Sequence, residues 1–364
     1  MRPSPDAEGY LMIESIDINN FRCFEAQALK GLGRINVVVG RNASGKTALL
    51  EAIYLNLGSP ALSLKVRGWR GLLGSFQITD DADAMNMIWK DYFYRFEQER
   101  VASIAFRGSQ GLNRKLTIRC DPVSGVRLSK DRVAIGDEAS AAQVGTIAFE
   151  WWQSSRRIAA AKPILEGETI KIKGGPQSLP GAFYSSTNPI NPQETANWFS
   201  DLSKRREERI IVQSLQSLFP FINDLSVETH GTMPMVHADV LSLPEKIPVG
   251  LISSGVNKLV ALLVAIATQK HGTLIIDEIE NGFHFRAMPG IWQCLYEFCK
   301  QSSVQLFVST HSQECLESLK QVIKGHERDF SLLRTVRENE GCIIRQFNGD
   351  KFLGALEEDI ELRS

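Results

Sequence analysis

The chain reads as an α/β protein: a mainly parallel sheet flanked by helices, with an inserted α+β lobe. Three observations predict this. "RINVVVG" is a short β-branched run, followed by a glycine-containing loop and the helical stretch "TALLEAIYLNL". That is the order of a strand buried on both faces feeding a crossover helix. After Leu251 the alternation returns as a helix, the strand "TLIIDE", the helix "AMPGIWQCLYEFCKQ" and the strand "VQLFVST", and strands alternating with helices build parallel sheets. Finally, 364 residues, 43% of them hydrophobic, are enough for one large domain or two lobes with a full core.

Taken in order, "LMIESIDINNFRCF" alternates apolar and polar residues as a half-buried strand does. From Leu57 to Val249 the pattern is less regular. "VASIAFRG" and "KLTIRC" read as paired strands and "ETIKIKGG" as another. Pro192 to Phe219 reads as one long helix, with Trp198, Leu202, Ile211, Leu215 and Leu218 near helical spacing and Lys204–Glu208 as an i,i+4 pair. The final stretch suggests a hairpin around "ENEG". The expected organisation is a head formed by residues 11–57 and 250–364, with residues 58–249 inserted between its strands.

Composition narrows the function. A net charge of −1 gives no global reason to bind nucleic acid, so such a site must be local. The best local candidate is the stretch from Arg100 to Gly175, with thirteen Lys/Arg against seven Asp/Glu. There "RGSQGLNRKLTIR" and "WWQSSRR" set basic residues beside aromatic ones. Six scattered cysteines without a CxxC pair read as reduced thiols. No signal-peptide pattern opens the chain, and the longest apolar run, Leu259 to Ala267, is too short for a bilayer. A cytoplasmic protein with no membrane partner is expected.

"GRNASGKT", Gly40 to Thr47, fits G-x-x-x-x-G-K-[ST] between a strand and a helix. Glycines allow the backbone N–H groups of Gly40, Arg41, Asn42, Ala43, Ser44 and Gly45 to curl around a phosphate, and the helix start adds its positive dipole end. Lys46 then reaches the β- and γ-phosphates, and the Thr47 hydroxyl serves Mg²⁺. "LIIDE" delivers Asp277 to the sheet edge as a second metal residue and Glu278 as a general base for water. "VQLFVSTHS" brings His311 to the same edge, within reach of a γ-phosphate. "LISSGVNKLVALLVAIA" is an apolar helix that starts with two serines and a glycine and carries a lysine. Capping explains a serine there; a phosphate-facing helix tip explains all three small residues.

In this order the motifs resemble the ABC-type ATPases, and within them the branch that contains the SMC, RecF and OLD proteins. "INNFRCFE" and "IDEIENGFH" resemble the same branch. The resemblance covers Leu11–Leu57 and Val249–Ser312. It implies that Gly40, Asn42, Gly45, Lys46 and Thr47 hold ATP phosphates and Mg²⁺, with Asp277 on the metal, Glu278 on the water and His311 on the γ-phosphate. It also implies that Ser253, Ser254 and Gly255 form the signature motif, which caps ATP held by the opposite subunit of an ATP-closed homodimer, and that Ile279 to Gly282 form the D-loop at the seam.

The departures are Ser254 where the family usually has Gly, Val256 where it often has Gln, and only Gln77 in "GSFQITD" as a Q-loop candidate. Neither SMC-type coiled-coil arms nor an OLD nuclease domain is expected from this sequence. The expected function is therefore an ATPase head in DNA maintenance or anti-phage defence, working with a partner effector protein. The alternative is a slow ATP-dependent switch or scaffold. A transporter ATPase subunit fits less well because the gap between the phosphate loop and "SSG" is too long, and a GTPase because "NKLV" lacks the aspartate that reads guanine.

Overall fold

A computed structural model of the chain describes residues 11–58, 89–126, 144–166, 169–185, 191–358 and 362. Strands β1 (Ile13–Phe21), β2 (Phe24–Lys30) and β3 (Ile35–Val39) lead into helix α1 (Lys46–Leu57). Six strands follow: β4 (Ala102–Gly108), β5 (Asn113–Val126), β6 (Val144–Gln153), β7 (Arg156–Glu166), β8 (Thr169–Gly174) and β9 (Gly181–Tyr184). Helices α2 (Pro192–Lys204) and α3 (Arg209–Leu218) precede β10 (Ile222–His230), β11 (Met233–Val240) and β12 (Ile247–Pro248). The last third holds α4 (Val249–Ile252), α5 (Ser254–Thr268), β13 (Thr273–Ile276), α6 (Met288–Gln301) and β14 (Gln305–Ser309). Two short helices, Gln313–Glu317 and Lys320–Ile323, precede β15 (Phe330–Arg337) and β16 (Cys342–Asn348), a hairpin around Glu338–Gly341, and a helix at Gly349–Glu357 follows.

Among the described residues, parallel pairing is confined to one of three sheets. That sheet has the order β16-β15-β3-β14-β13-β9, parallel from β9 through β15, with β16 returning antiparallel. A seven-stranded sheet, β2-β1-β4-β5-β6-β7-β8, is antiparallel throughout. A small third sheet, β10-β11-β12, is antiparallel too. The architecture is thus mixed, which corrects the expectation of a mainly parallel sheet. The reason is connection length. Links such as Arg22–Cys23 between β1 and β2 are hairpins, which join antiparallel strands only.

Alternate residues of the parallel strands serve two cores. Val37, Val39, Leu274, Ile276, Leu306 and Val308 pack with residues of α2, α3, α5 and α6. Val38, Ile275, Phe307 and Leu333 pack with α1 and the antiparallel sheet. Ala48 through Leu57 are all buried, because α1 is held between the two large sheets. Elements distant in sequence interleave here: β1 and β2 join the antiparallel layer, while β9 forms an edge of the parallel one.

Pro192 to Phe219 is two helices, not one. Leu202 O accepts from Glu207 N at 3.0 Å and Ser203 O from Arg206 N at 2.9 Å, with Arg206 left-handed at φ 60°. This is a Schellman stop built without glycine. The break changes the ion pairs as well: Lys204 pairs with Asp201 at 2.9 Å, and Glu207 with Lys270 at 3.0 Å.

Candidate nucleotide site

Register aligns the ends of three neighbouring strands. Val38 of β3 lies opposite Ser309 of β14, and Val308 lies opposite Ile276 of β13. The segments that follow them, Gly40–Thr47, Thr310–His311 and Asp277–Glu278, therefore emerge at one sheet edge, where open α/β sheets bind ligands.

The loop after β3 has left-handed backbone at Gly40 (φ 146°), Ala43 (φ 61°) and Gly45 (φ 103°). A Cβ on Gly40 would lie 2.3 Å from Thr335 O, and one on Gly45 would lie 2.9 Å from Cys23 Sγ. Gly45 heads α1 without a side-chain cap, which leaves first-turn N–H groups for an anion. Lys46 Nζ donates to Gly40 O at 2.7 Å and Arg41 O at 3.0 Å, so the loop already curls around a cation. Burial lowers the Lys46 ammonium pKa, against the opposing pull of Asp277, Glu278 and Glu280. Arg41 and Asn42 are exposed at the rim. Ser44 is buried and bonded to Thr335 Oγ1 at 2.6 Å, while Arg337 donates to Ala43 O at 3.3 Å. The hairpin of β15 and β16 thus braces the loop from outside.

Thr47 Oγ1 donates to Asp277 Oδ2 at 3.0 Å. Ser309 Oγ donates to Asp277 Oδ1 and accepts from Glu278 N, the latter at 2.8 Å. A hydroxyl and a carboxylate meeting at one point are hard oxygen donors and fit Mg²⁺. Glu278 is left-handed at φ 57°, a conformation that costs an L-residue about 1–2 kcal/mol. Its Oε2 accepts from Asn281 Nδ2 at 2.7 Å. His311 leans on Glu280: its N–H donates to Oε1 at 2.9 Å, and its Nδ1 lies 3.0 Å from the same oxygen.

Ser253 caps α5, its Oγ accepting from Val256 N at 3.0 Å. Ser253 and Ser254 are exposed, whereas Gly255 is buried, and a Cβ there would sit 2.7 Å from Gly282 O. The structure therefore joins the phosphate loop, Asp277 and Glu278, and places His311 beside them through Glu280. It packs Gly255 of the helix tip against Gly282 of the 278–283 turn. Gln77 lies outside the described residues.

Sequence reasoning gave no role to Ser309 and Thr335 and knew Glu280 and Asn281 only as D-loop residues; all four hold the expected residues in place. It also left Lys258 unexplained. The signal for Lys258 was present: a lysine inside an otherwise apolar helix needs acceptors. The basic stretch also looks different when folded. Arg107 pairs with Asp17 at 3.0 Å, and Arg119 and Arg157 pair with Glu150 at 3.0 and 2.8 Å. Arg114 is buried, which pulls its guanidinium pKa down to about 10.

The RecF/RecN/SMC N terminal domain model matches residues 12–329. The chain belongs to this family. Its head is of the SMC/RecF ABC-ATPase type. The structure of an SMC head bound to the C-winged helix domain of ScpA covers 93% of this chain and 98% of its own, with a TM-score of 0.52 at 12% identity. An "ATP/GTP phosphatase" of Helicobacter pylori is 23% identical over 365 residues, covering 93% of this chain and 96% of that protein. The DNA replication and repair protein RecF of Idiomarina loihiensis is 49% identical over 45 residues, 12% of this chain and 13% of RecF.

Proposed function

We propose that the chain is a Mg²⁺-dependent ATP hydrolase whose two copies close on two ATP molecules. The observation that carries this reading is the 3.0 Å hydrogen bond from Thr47 to Asp277, which joins the phosphate loop to the acidic strand end. Membership of the family and the name of the Helicobacter pylori relative support it. When ATP binds, Lys46 exchanges the carbonyls of Gly40 and Arg41 for phosphate oxygens. Thr47 and Asp277 would hold Mg²⁺, which would supply charge neutralisation for the phosphates. Glu278 leaves Asn281, takes the proton of the attacking water, and ADP departs as phosphate forms. His311 leaves Glu280 for the γ-phosphate. Ser253, Ser254 and Gly255 cap the nucleotide of the opposite subunit.

On this reading residues 11–57 and 250–364 form a cytoplasmic ATPase head, and residues 58–249 move with its cycle or carry the effector. The SMC head bound to a winged-helix domain supports a head that works through a protein partner. DNA maintenance or anti-phage defence fits such a head, with DNA touching the 100–175 region; no helix among the described residues is long and apolar enough to cross a membrane. A slow switch is the second reading. It is favoured by one observation: the base and the histidine are both held by D-loop side chains.

Steady-state MgATP turnover, with and without duplex DNA, separates the two. The hydrolase reading expects turnover that Glu278→Gln lowers by about 10²-fold or more and that Lys46→Ala removes together with nucleotide binding. Wild-type turnover no higher than that of Glu278→Gln sinks the hydrolase and leaves the switch. DNA that leaves turnover and binding untouched removes DNA from the reading.

A further inference from the structure

Lys258 is the cation that the apolar helix α5 carries without an evident reason, one turn beyond Ser253–Gly255. Its ammonium donates to three carbonyl oxygens of a single turn: Glu278 O at 3.2 Å, Ile279 O at 2.9 Å and Asn281 O at 2.9 Å. It also lies over the Phe283 ring, 5.3 Å from the centroid. A lysine has three N–H donors, and here each finds a backbone acceptor in the segment that carries Glu278. Burial lowers the ammonium pKa to about 8, and the nearby Glu280 and Glu278 carboxylates work against that shift.

A second contact lies one turn earlier, where Gly255 packs against Gly282 so closely that a Cβ would come within 2.7 Å of its carbonyl oxygen. The start of α5 is therefore fastened to the 278–283 turn at two points. Glu278 is the residue of that turn with most need of fastening, because its backbone is left-handed. The rest of its environment holds other atoms: Ser309 Oγ takes its N–H at 2.8 Å and Asn281 holds its carboxylate at 2.7 Å.

We propose that Lys258 is a positioning residue for hydrolysis: it transmits the setting of the first turn of α5 to the backbone of Glu278 and so to the general base. A helix moves as a rigid rod over one turn, so a displacement of its serine tip moves Lys258 as well, and the three gripped carbonyls follow. The tip proposed to meet the opposite subunit's nucleotide is then linked through one side chain to the base of its own subunit. This inference rests on Glu278 acting as that base.

Lys258→Met keeps the aliphatic stem and removes the donors, while Lys258→Arg keeps charge and donors. The measurements are kcat and KM for MgATP, the Kd of a fluorescent ATP analogue, the thermal midpoint, and hydrogen exchange of three amides of this turn: Ile279, which donates to Ser309 O, and Asn281 and Phe283, which donate to Glu278 O and Glu280 O. For Lys258→Met we expect kcat to fall tenfold or more, KM and analogue Kd to stay within twofold, and those amides to exchange faster. Lys258→Arg recovers most of the lost kcat. A kcat within twofold of wild type overturns the inference, as does a fall in kcat that only tracks loss of analogue affinity and thermal midpoint. A wild type with no turnover above Glu278→Gln removes the hydrolysis reading and this one with it. Active wild type with an equally active Lys258→Met removes this one alone.

Discussion

Gly255 shows how one residue serves two demands. As the third member of "SSG" it reads as a small residue that lets a phosphate approach. In the fold it is also the place where α5 touches the backbone of the 278–283 turn. Gly255→Ala puts a methyl group 2.7 Å from Gly282 O, so the turn or the helix must shift. The expected cost is about 1–3 kcal/mol of stability, the usual range for overpacking, read as a lower denaturant midpoint, together with slower turnover. Unchanged midpoint and turnover contradict that contact. Ser253 has a simpler local role, and Ser253→Ala should cost about 1 kcal/mol for the lost cap, measured the same way. Ser253→Arg tests the proposed role across a dimer: hydrolysis stops while the monomer's ATP affinity stays. Lost affinity instead puts this helix tip beside its own subunit's nucleotide.

Elements were legible where the hydrophobic period was clean. β3, α1, α5, β13 and β14 follow directly from "RINVVVG", "TALLEAIYLNL", the apolar helix, "TLIIDE" and "VQLFVST", because buried strands and helices in this sheet are apolar on more than one side. The stretch from Pro192 to Phe219 was not legible as two helices. Its stop uses Arg206 at φ 60° in place of the usual glycine, so no turn residue announces it. Arg206→Gly tests this stop. It relieves about 1–2 kcal/mol of left-handed strain and returns about 0.4–1 kcal/mol through a freer unfolded chain. A net gain of roughly 1 kcal/mol is expected in chemical denaturation, with nucleotide affinity unchanged. A loss of stability would falsify the Schellman account.

At the scale of the whole molecule, α1 ends up between two large sheets, and the site lies at the edge of only one of them. Ser253 and Ser254 at the α5 tip are exposed, and the proposed closure of two copies would meet there. Glu278→Gln, held at saturating MgATP, should elute as a dimer on a sizing column, while Lys46→Ala should stay monomeric. A monomeric Glu278→Gln protein under those conditions means that the signature motif does not act across a dimer here.

The side chains available for phosphate chemistry can be read from the linear chain, because each motif is a contiguous run whose spacing follows from one strand, one loop or one helix turn. "GRNASGKT", "LIIDE" and "STH" are of this kind, and the strand ends that carry them meet through β-ladder register. What holds those side chains emerges on folding. Thr335 beneath Ser44, Ser309 between Asp277 and Glu278, and Lys258 under three carbonyls are contacts between segments far apart in the chain. The tertiary structure also decided that the larger sheet is antiparallel, because a strand's partner is chosen by the path of its connections and not by its own residues.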